Sequence, residues 1–155
     1  MELALDQARQ AEAVGEVPVG AAILGPDGIV LALAHNEIES RNDPTAHAER
    51  LALTRACQGS GYARLPAGSL LAVTLEPCAM CAGAIVLARP ERLVFGALDP
   101  KAGACGSLRD IVRDPRLNHR VELLPRLLSQ ECGELLTRFF QRRRGQHSQG
   151  CRDTP

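Results

Sequence analysis

Three side chains of the types that bind zinc lie near the starts of two predicted helices. Cys78 and Cys81 stand three residues apart in TLEPCAMCAGAIV (residues 74–86), and His47 stands in DPTAHAE (residues 43–49). A catalytic zinc site takes three such ligands from the protein and leaves the fourth position to water. The spacing of the cysteines brings both sulfurs to one side of a helix, and His47 must arrive from another helix. The three residues therefore indicate a zinc site.

The elements around the cysteines predict where this site lies. SLLAVTLE (residues 69–76) predicts a buried strand, CAMCAGAIVLAR (78–89) a short helix closed by Pro90, and RLVFGAL (92–98) another strand. Such a crossover joins parallel strands, and α/β sheets place their sites beyond the carboxyl ends of those strands. Both cysteines are expected there, in the first turn of the helix, where the helix N-terminus and a cation lower the pKa of a thiol.

Glu49 follows His47 by two residues, which constrains the start of the second helix. Residues two apart in mid-helix face different directions, so these two side chains share a site only at a helix start. We therefore predict that Thr45, and not Asp43, is the N-cap residue and that His47 lies in the first turn.

Two other interpretations of the cysteines are open. A CxxC pair in a crossover is also typical of thioredoxin-like redox proteins, but Pro77 before Cys78 and the His-x-Glu stretch argue against it. A structural zinc site would need a fourth ligand. The candidates, none at a recognisable spacing, are Cys57, Cys105, Cys132, His35 and His119.

The rest of the chain completes an α/β fold in one domain. We predict a helix over residues 2–14, a hairpin of residues 18–24 and 29–35 around GPDG, a helix from NDPT to about Cys57, a fifth strand at 119–125 and a terminal helix at 128–144. The expected architecture has three layers, with helices on both faces of a mixed five-stranded sheet. The domain is expected to span residues 1–144, and the tail, residues 145–155, is predicted to be disordered.

Composition and charge bound the function further. Acidic residues near the start oppose a secretory signal, and the apolar run AGAIVLA stops at Arg89, short of a membrane span, so a cytoplasmic protein is expected. A reducing cytoplasm favours free or metal-bound cysteines over disulfides. The net charge is zero, but residues 101–155 hold 11 basic and 6 acidic groups, with the densest cluster in RFFQRRR. Such a patch attracts phosphates or is simply a solvated helix end.

Six stretches, in order and spacing, resemble the bacterial tRNA adenosine deaminases of the zinc-dependent cytidine/deoxycytidylate deaminase superfamily. They are EVPVGAAI, DPTAHAE, TLEPCAMCAGAI, GALDPKAGACGSL, NHRVEL and FFQRRR, and the likeness covers roughly residues 2–144. The paired H-x-E and P-C-x-x-C motifs are the signature of zinc deaminases of nucleobases. The resemblance implies a cytidine deaminase-like fold and hydrolytic conversion of the wobble adenosine of an anticodon to inosine.

The resemblance also implies roles for particular residues. His47, Cys78 and Cys81 would hold one Zn²⁺ that activates a water, and Glu49 would shuttle the protons. Asn36 and the loop residues Asp99 and Lys101 would bind substrate, and the terminal helix would present Phe140, Arg143 and Arg144 to RNA, beside Phe139. The expected partners are a tRNA anticodon stem-loop and a second copy of the chain, without DNA or membrane.

Alternatives and departures qualify this assignment. A deaminase of a free base or nucleoside, such as guanine or cytosine, would share the zinc centre but have no use for FFQRRR. A structural zinc protein that binds RNA would perform no chemistry. The sequence departs from the family at Glu37, Ala72, Cys105 and Gln141, positions that we expect to bear on RNA contacts and to leave the chemistry unchanged.

Overall fold

The computed structural model describes the backbone of residues 1–150 and the side chains of residues 1–145. In that part of the chain the elements are α1 (Glu2–Ala13), β1 (Gly20–Leu24), β2 (Val30–His35), α2 (Ile38–Arg41), α3 (Ala48–Ser60), β3 (Leu70–Leu75), α4 (Ala79–Ala88), β4 (Arg92–Ala97), β5 (Glu122–Pro125) and α5 (Ser129–Gly150). The sequence predicted all of them except α2, whose four residues are too few to show a helical period.

The strands form one mixed sheet in the order β2-β1-β3-β4-β5. β1 pairs antiparallel with β2, as the predicted hairpin requires, and antiparallel with β3 on its other side. β3 and β4 pair in parallel across the α4 crossover, and β5 joins β4 in parallel. The parallel half of the sheet therefore has its carboxyl ends at one edge, after Leu75 and Ala97.

Helices cover both faces of the sheet and make the three predicted layers. α1 packs on β1 and β2, α5 packs on β4, and these two helices touch each other. On the opposite face α3 packs on β1 and β2 and against α4. Successive strand residues alternate between the faces, so Ile23 and Leu71 belong to the large core cluster while Ala22 and Ala72 belong to a smaller one with Ala4 of α1.

α1 lies very close to the sheet because β1 begins with glycine. A Cβ atom added at Gly20 would overlap the carbonyl oxygen of Ala4 and the backbone nitrogen of Ala8. The same residue donates its N–H to the Thr74 hydroxyl of β3 at 3.1 Å. The small residues of this layer thus let the helix backbone rest on the strand backbone.

The C-terminal helix is longer than predicted. α5 continues to Gly150, six residues beyond the predicted helix end at Arg144, and the disorder of residues 145–155 stays a prediction. Residues 151–155 lie outside the described residues. None of the described helices is both long enough and apolar enough to cross a bilayer.

Candidate metal centre and active site

The three predicted zinc ligands lie at the N-termini of two neighbouring helices. His47 is the N-cap residue of α3 and Cys78 is the N-cap residue of α4, both with extended backbone (ψ 149° and 174°). Cys81 lies in the first turn of α4 and is fully buried. Both helices begin beside the carboxyl end of β3, which is the edge of the sheet where the crossover predicted the site.

The prediction that Thr45 caps α3 is wrong, because a neighbouring carboxylate occupies its hydroxyl. Asp43 Oδ1 accepts hydrogen bonds from the Thr45 hydroxyl at 2.6 Å and from its backbone N–H at 2.8 Å. Arg50 Nη2 pairs with Asp43 Oδ2 at 2.8 Å. The helix therefore begins two residues later, at Ala48, with His47 as its N-cap residue.

The distances between the ligand atoms fit a tetrahedral zinc ion. His47 Nδ1 lies 3.7 Å from Cys78 Sγ and 3.6 Å from Cys81 Sγ. Ideal zinc–sulfur and zinc–nitrogen bonds at a tetrahedral angle place a sulfur and a nitrogen about 3.6 Å apart. Among the described side chains the cluster consists of these three residues. Three protein ligands are the number that a catalytic zinc site uses, whereas a structural site uses four.

Hydrogen bonds favour the thiolate form of one sulfur, which is the form that binds a metal. Contacts with Cys81 and His47 lower the pKa of the Cys78 thiol to about 3, so that it is a thiolate at neutral pH. The contact with Cys78 raises the pKa of His47. It also raises the pKa of Cys81, because the two sulfurs share one proton. A divalent cation displaces that proton, and both sulfurs then bind as thiolates.

Glu49 lies beside the ligands, in the first turn of α3, and is only 4% exposed. Burial raises the pKa of its carboxyl above the ordinary value. A carboxylate with a raised pKa exchanges protons near neutral pH more readily than an exposed one, and general acid–base catalysis uses this property. Glu49 is not part of the metal cluster, so it is available for proton transfer.

A pocket opens directly over this cluster. Its lining comprises Val17, Val19, Asn36, Ile38, His47, Glu49, Leu75, Glu76, Cys78, Asp99 and Ala102. Apolar side chains form much of the wall, while a few polar groups converge near the metal ligands, as is usual for a small-molecule site. The arrangement suits hydrolysis of a flat, polar ring held against a metal-activated water.

The sequence of the first 97 residues decides the family. Residues 1–97 match the zinc-binding region of the cytidine and deoxycytidylate deaminases. The chain belongs to this family. It is 47% identical over 141 residues to the tRNA-specific adenosine deaminase of Bacillus subtilis, a match that covers 91% of this chain and 86% of that protein.

Solved structures of deaminases share the fold. One from a study of A-to-I editing by tRNA:A34 deaminases superposes with a TM-score of 0.83 at 46% identity and covers 88% of this chain and 97% of that chain. The guanine deaminase of Bacillus subtilis superposes with a TM-score of 0.60 at 30% identity, covering 93% and 90%. The zinc deaminase fold is thus common to enzymes named for RNA and for a free base.

Asn36 of this deaminase is held in place by a buried carboxylate that the sequence analysis missed. Its Nδ2 donates to Glu16 Oε2 at 3.2 Å, and the backbone N–H of Ser40 donates to Glu16 Oε1 at 2.7 Å. Glu16 is 1% exposed and Asn36 is 4% exposed. The asparagine therefore reaches the pocket with its amide already oriented by a fixed acceptor.

The loop after β4 forms another wall of the pocket. Asp99 lines it, but its Oδ1 accepts hydrogen bonds from the backbone N–H groups of Lys101 (2.9 Å) and Ala102 (3.1 Å), so this carboxylate shapes the loop. Lys101 is exposed and is not part of the lining. Glu76, also missed by the sequence analysis, is 2% exposed and accepts hydrogen bonds from the same loop.

The terminal helix lies away from the pocket lining. α5 packs on β3, β4 and α1, and none of its described side chains lines the pocket. Phe139 is buried and Phe140 is 44% exposed, their rings meeting edge to face with centroids 5.4 Å apart. Arg143 lies over the Phe139 ring at 5.7 Å, and Arg142 pairs with Glu12 of α1. Phe139 is thus a core residue.

Two of the departures from the family are core residues. Ala72 is 1% exposed and packs with Ala22 and Val94 beneath α1. Cys105 is 1% exposed and donates its backbone N–H to Glu76. Neither position presents a side chain at the surface, so any effect on RNA contacts would be indirect, and that expectation stays a prediction. Glu37 pairs with Arg55, Nη2 to Oε1 at 2.6 Å, and Gln141 is exposed.

Proposed function

We propose that this protein converts adenosine to inosine at the wobble position of a tRNA anticodon, by hydrolysis that releases ammonia. The proposal rests on near full-length likeness to a tRNA-specific adenosine deaminase at 47% identity, against 30% for a guanine deaminase. The geometry supports it because the pocket combines a three-residue zinc cluster with a buried carboxylate.

In this proposal His47, Cys78 and Cys81 hold the zinc. When bound, zinc would supply Lewis acidity that lowers the pKa of a water toward about 7. Glu49 accepts a proton from the attacking water and delivers it to N1 of adenine, which makes C6 electrophilic. The same carboxylate then takes the proton of the new C6 hydroxyl and carries it to the departing amine, so that C6 becomes a carbonyl. Water adds, ammonia leaves and inosine remains, so the atoms balance with one water consumed.

Asn36 orients the base in this scheme. Its amide is fixed by Glu16, and an amide offers both a donor and an acceptor to a purine edge. The base must leave its stack to enter the pocket, which costs a few kcal/mol and least in an unpaired loop. An anticodon loop provides such an unpaired base, and Lys101 at the exposed loop and Arg143 and Arg144 on α5 are proposed to hold its phosphates.

Turnover of matched substrates tests the proposal. Ammonia release is measured on an anticodon stem-loop with adenosine at the wobble position, on its DNA counterpart, and on free adenosine, cytidine and guanine. We expect turnover of the RNA stem-loop alone. Efficient turnover of free guanine with an inert stem-loop would replace the proposal by a free-base deaminase, and no turnover of any of them by zinc-loaded protein would favour a structural role.

Salt dependence tests the proposed phosphate contacts separately. Each phosphate neutralised on a single strand contributes a slope of roughly −0.7 in log K against log salt. Replacing Arg143 and Arg144 together by alanine should flatten the slope and raise KM for the stem-loop, with zinc content unchanged. The charge-matched control replaces Arg9 and Arg64, which are exposed and belong to α1 and to the segment after α3. An equal change in both double variants would mean that net charge alone causes the effect, which would contradict the assignment of Arg143 and Arg144 as phosphate contacts.

A homodimer and a cytoplasmic location complete the proposal. α4 exposes Leu87 at 76% and Met80 at 37%, and Thr54 and Cys57 of α3 lie in a groove with Leu87. An apolar surface of this kind suits contact with a second copy of the chain. Sedimentation of the zinc-loaded protein over a range of micromolar concentrations tests for the dimer. A monomer at every concentration would remove the dimer from the proposal.

A further inference from the structure

Glu76 is a buried carboxylate on which one loop converges. Its Oε1 accepts hydrogen bonds from the backbone N–H groups of Cys105 (3.1 Å) and Ser107 (2.9 Å). Its Oε2 accepts one from the backbone N–H of Asp99 (3.1 Å) and another from the Ser107 hydroxyl. Four donors, distributed over residues 99–107, thus end on a single side chain that is 2% exposed.

The same loop is fastened to the segment that carries the zinc ligands. Ala104 donates its N–H to the Pro77 carbonyl at 2.8 Å, and Gly103 forms a β-bridge with Cys78. A Cβ atom added at Gly103 would overlap the Glu76 carboxylate. The loop backbone therefore lies in direct contact with the carboxylate, and this side chain fixes the position of the loop over the pocket.

Charge and hydrogen-bond capacity explain why a carboxylate stands here. The four donors are backbone N–H groups and a hydroxyl, and they stabilise the buried negative charge without a cationic side chain among them. A carboxylate accepts at both oxygens, so it satisfies all four donors. A glutamine of the same size accepts at one oxygen only and would turn its NH₂ group toward two of the donors.

We propose that Glu76 is a positioning residue that holds the 99–107 loop over the pocket and so determines how tightly the substrate is bound, without handling the reacting protons. The loop is the wall that contributes Asp99 and Ala102 to the pocket. This inference rests on the proposed function, since it concerns the substrate of that same site. Glu49 remains the proton carrier, so substitution of Glu49 should lower turnover, whereas substitution of Glu76 should raise KM.

Glu76→Gln in the zinc-loaded enzyme tests the inference. Loss of hydrogen bonds to a charged group should raise KM for the stem-loop by about 10-fold or more, with kcat within a small factor of wild type and zinc still at one per chain. Hydrogen exchange should accelerate at the amides of Asp99, Cys105 and Ser107. Ser107→Ala keeps every backbone bond and removes one donor, so its KM should rise in the same direction but less.

Glu122→Gln is the matched control, because Glu122 is an exposed glutamate on β5. It should leave KM, zinc content and exchange unchanged. The inference is overturned if KM is unchanged in both Glu76→Gln and Ser107→Ala. It is also overturned if Glu76→Gln loses zinc to an extent that accounts for its loss of activity, since Glu76 would then act through Cys78. If Glu76→Gln does not fold, Ser107→Ala decides. If the wild type turns over a free base instead, the proposed function fails, and the same KM comparison on that base still tests the positioning role.

Discussion

At the scale of single residues, Glu49 has the position and burial of a proton carrier, and its role separates from that of the metal ligands. Glu49→Ala should keep zinc at one per chain, because the cluster does not include it. Turnover should fall by about 10² to 10⁴, the usual worth of general acid–base catalysis. Metal analysis and ammonia release measure the two effects, with Cys81→Ala as the control that loses zinc. Near wild-type turnover in Glu49→Ala would contradict the mechanism.

Three other cysteines among the described residues should be dispensable for metal binding. Cys57, Cys105 and Cys132 are free thiols outside the cluster of His47, Cys78 and Cys81. Cys57→Ser, Cys105→Ser and Cys132→Ser should each retain stoichiometric zinc, measured after dialysis against a weak chelator. Because Cys105 and Cys132 are buried, their variants should unfold at lower temperature while still holding the metal. Zinc loss in a folded variant would identify a fourth ligand.

Metal ligands are easier to predict from residue types than the buried side chains that hold neighbouring segments in place. His47, Cys78 and Cys81 were predicted because their side chains are rare, metal-binding and regularly spaced. Glu76 was missed because three of its four donors are backbone N–H groups, and Glu16 because Ser40 likewise donates a backbone N–H; every residue except proline carries this group, so it leaves no mark on the sequence. The only signal in the sequence was that each glutamate adjoins an apolar stretch: Glu16 precedes the one that forms β1, and Glu76 follows the one that forms β3.

At the scale of elements, Glu16 joins the segment after α1 to the start of α2, and this predicts a pH dependence. Burial raises the pKa of Glu16, but hydrogen bonds from Ser40, Glu39 and Asn36 outweigh it, and the net pKa lies below the ordinary value. The resulting stability is fully present above the unfolded-state pKa of about 4.3 and is lost as the pH falls through the lower folded-state pKa.

Glu16→Gln should therefore lower the free energy of unfolding at pH 7, and the difference from wild type should shrink between pH 5 and pH 3. Urea unfolding of the two proteins at a series of pH values measures this. Glu122→Gln, at an exposed site, serves as the control with no difference. A difference between Glu16→Gln and wild type that stays constant down to pH 3 would show that the carboxylate charge is not what the hydrogen bonds stabilise.

Element boundaries were harder to predict than elements. The α3 start was misplaced because Thr45 and Asp43 are both good N-cap residues, and the sequence does not show that one binds the other. The requirement that His47 and Glu49 share a site was nevertheless met, since the helix start falls between them. The α4 start was placed to within one residue, because Pro77 and the end of a strong apolar run define it, but Cys78 is the N-cap residue and not the first helical residue.

At the scale of the whole molecule, the layered architecture followed from periodicity and from the crossover rule. The hairpin and the β3–α4–β4 unit contain neighbouring segments of the chain, so local patterns predicted both pairings. The contact between β1 and β3 joins segments separated by α2 and α3, and no local pattern announces it. The same holds for the contact between α1 and α5, at which Arg142 pairs with Glu12.

The metal ligands come from the N-termini of two helices that the chain connects only through β3. Zinc is therefore a cross-link between α3 and α4, and its binding free energy is added to that of folding. By mass action the native state gains about 2.7 kcal/mol at a free zinc concentration 100 times the dissociation constant. The melting temperature of the wild type should climb with each decade of buffered free zinc, whereas that of Cys81→Ala should stay level. In a cell short of zinc this enzyme would therefore lose its activity together with part of its resistance to unfolding.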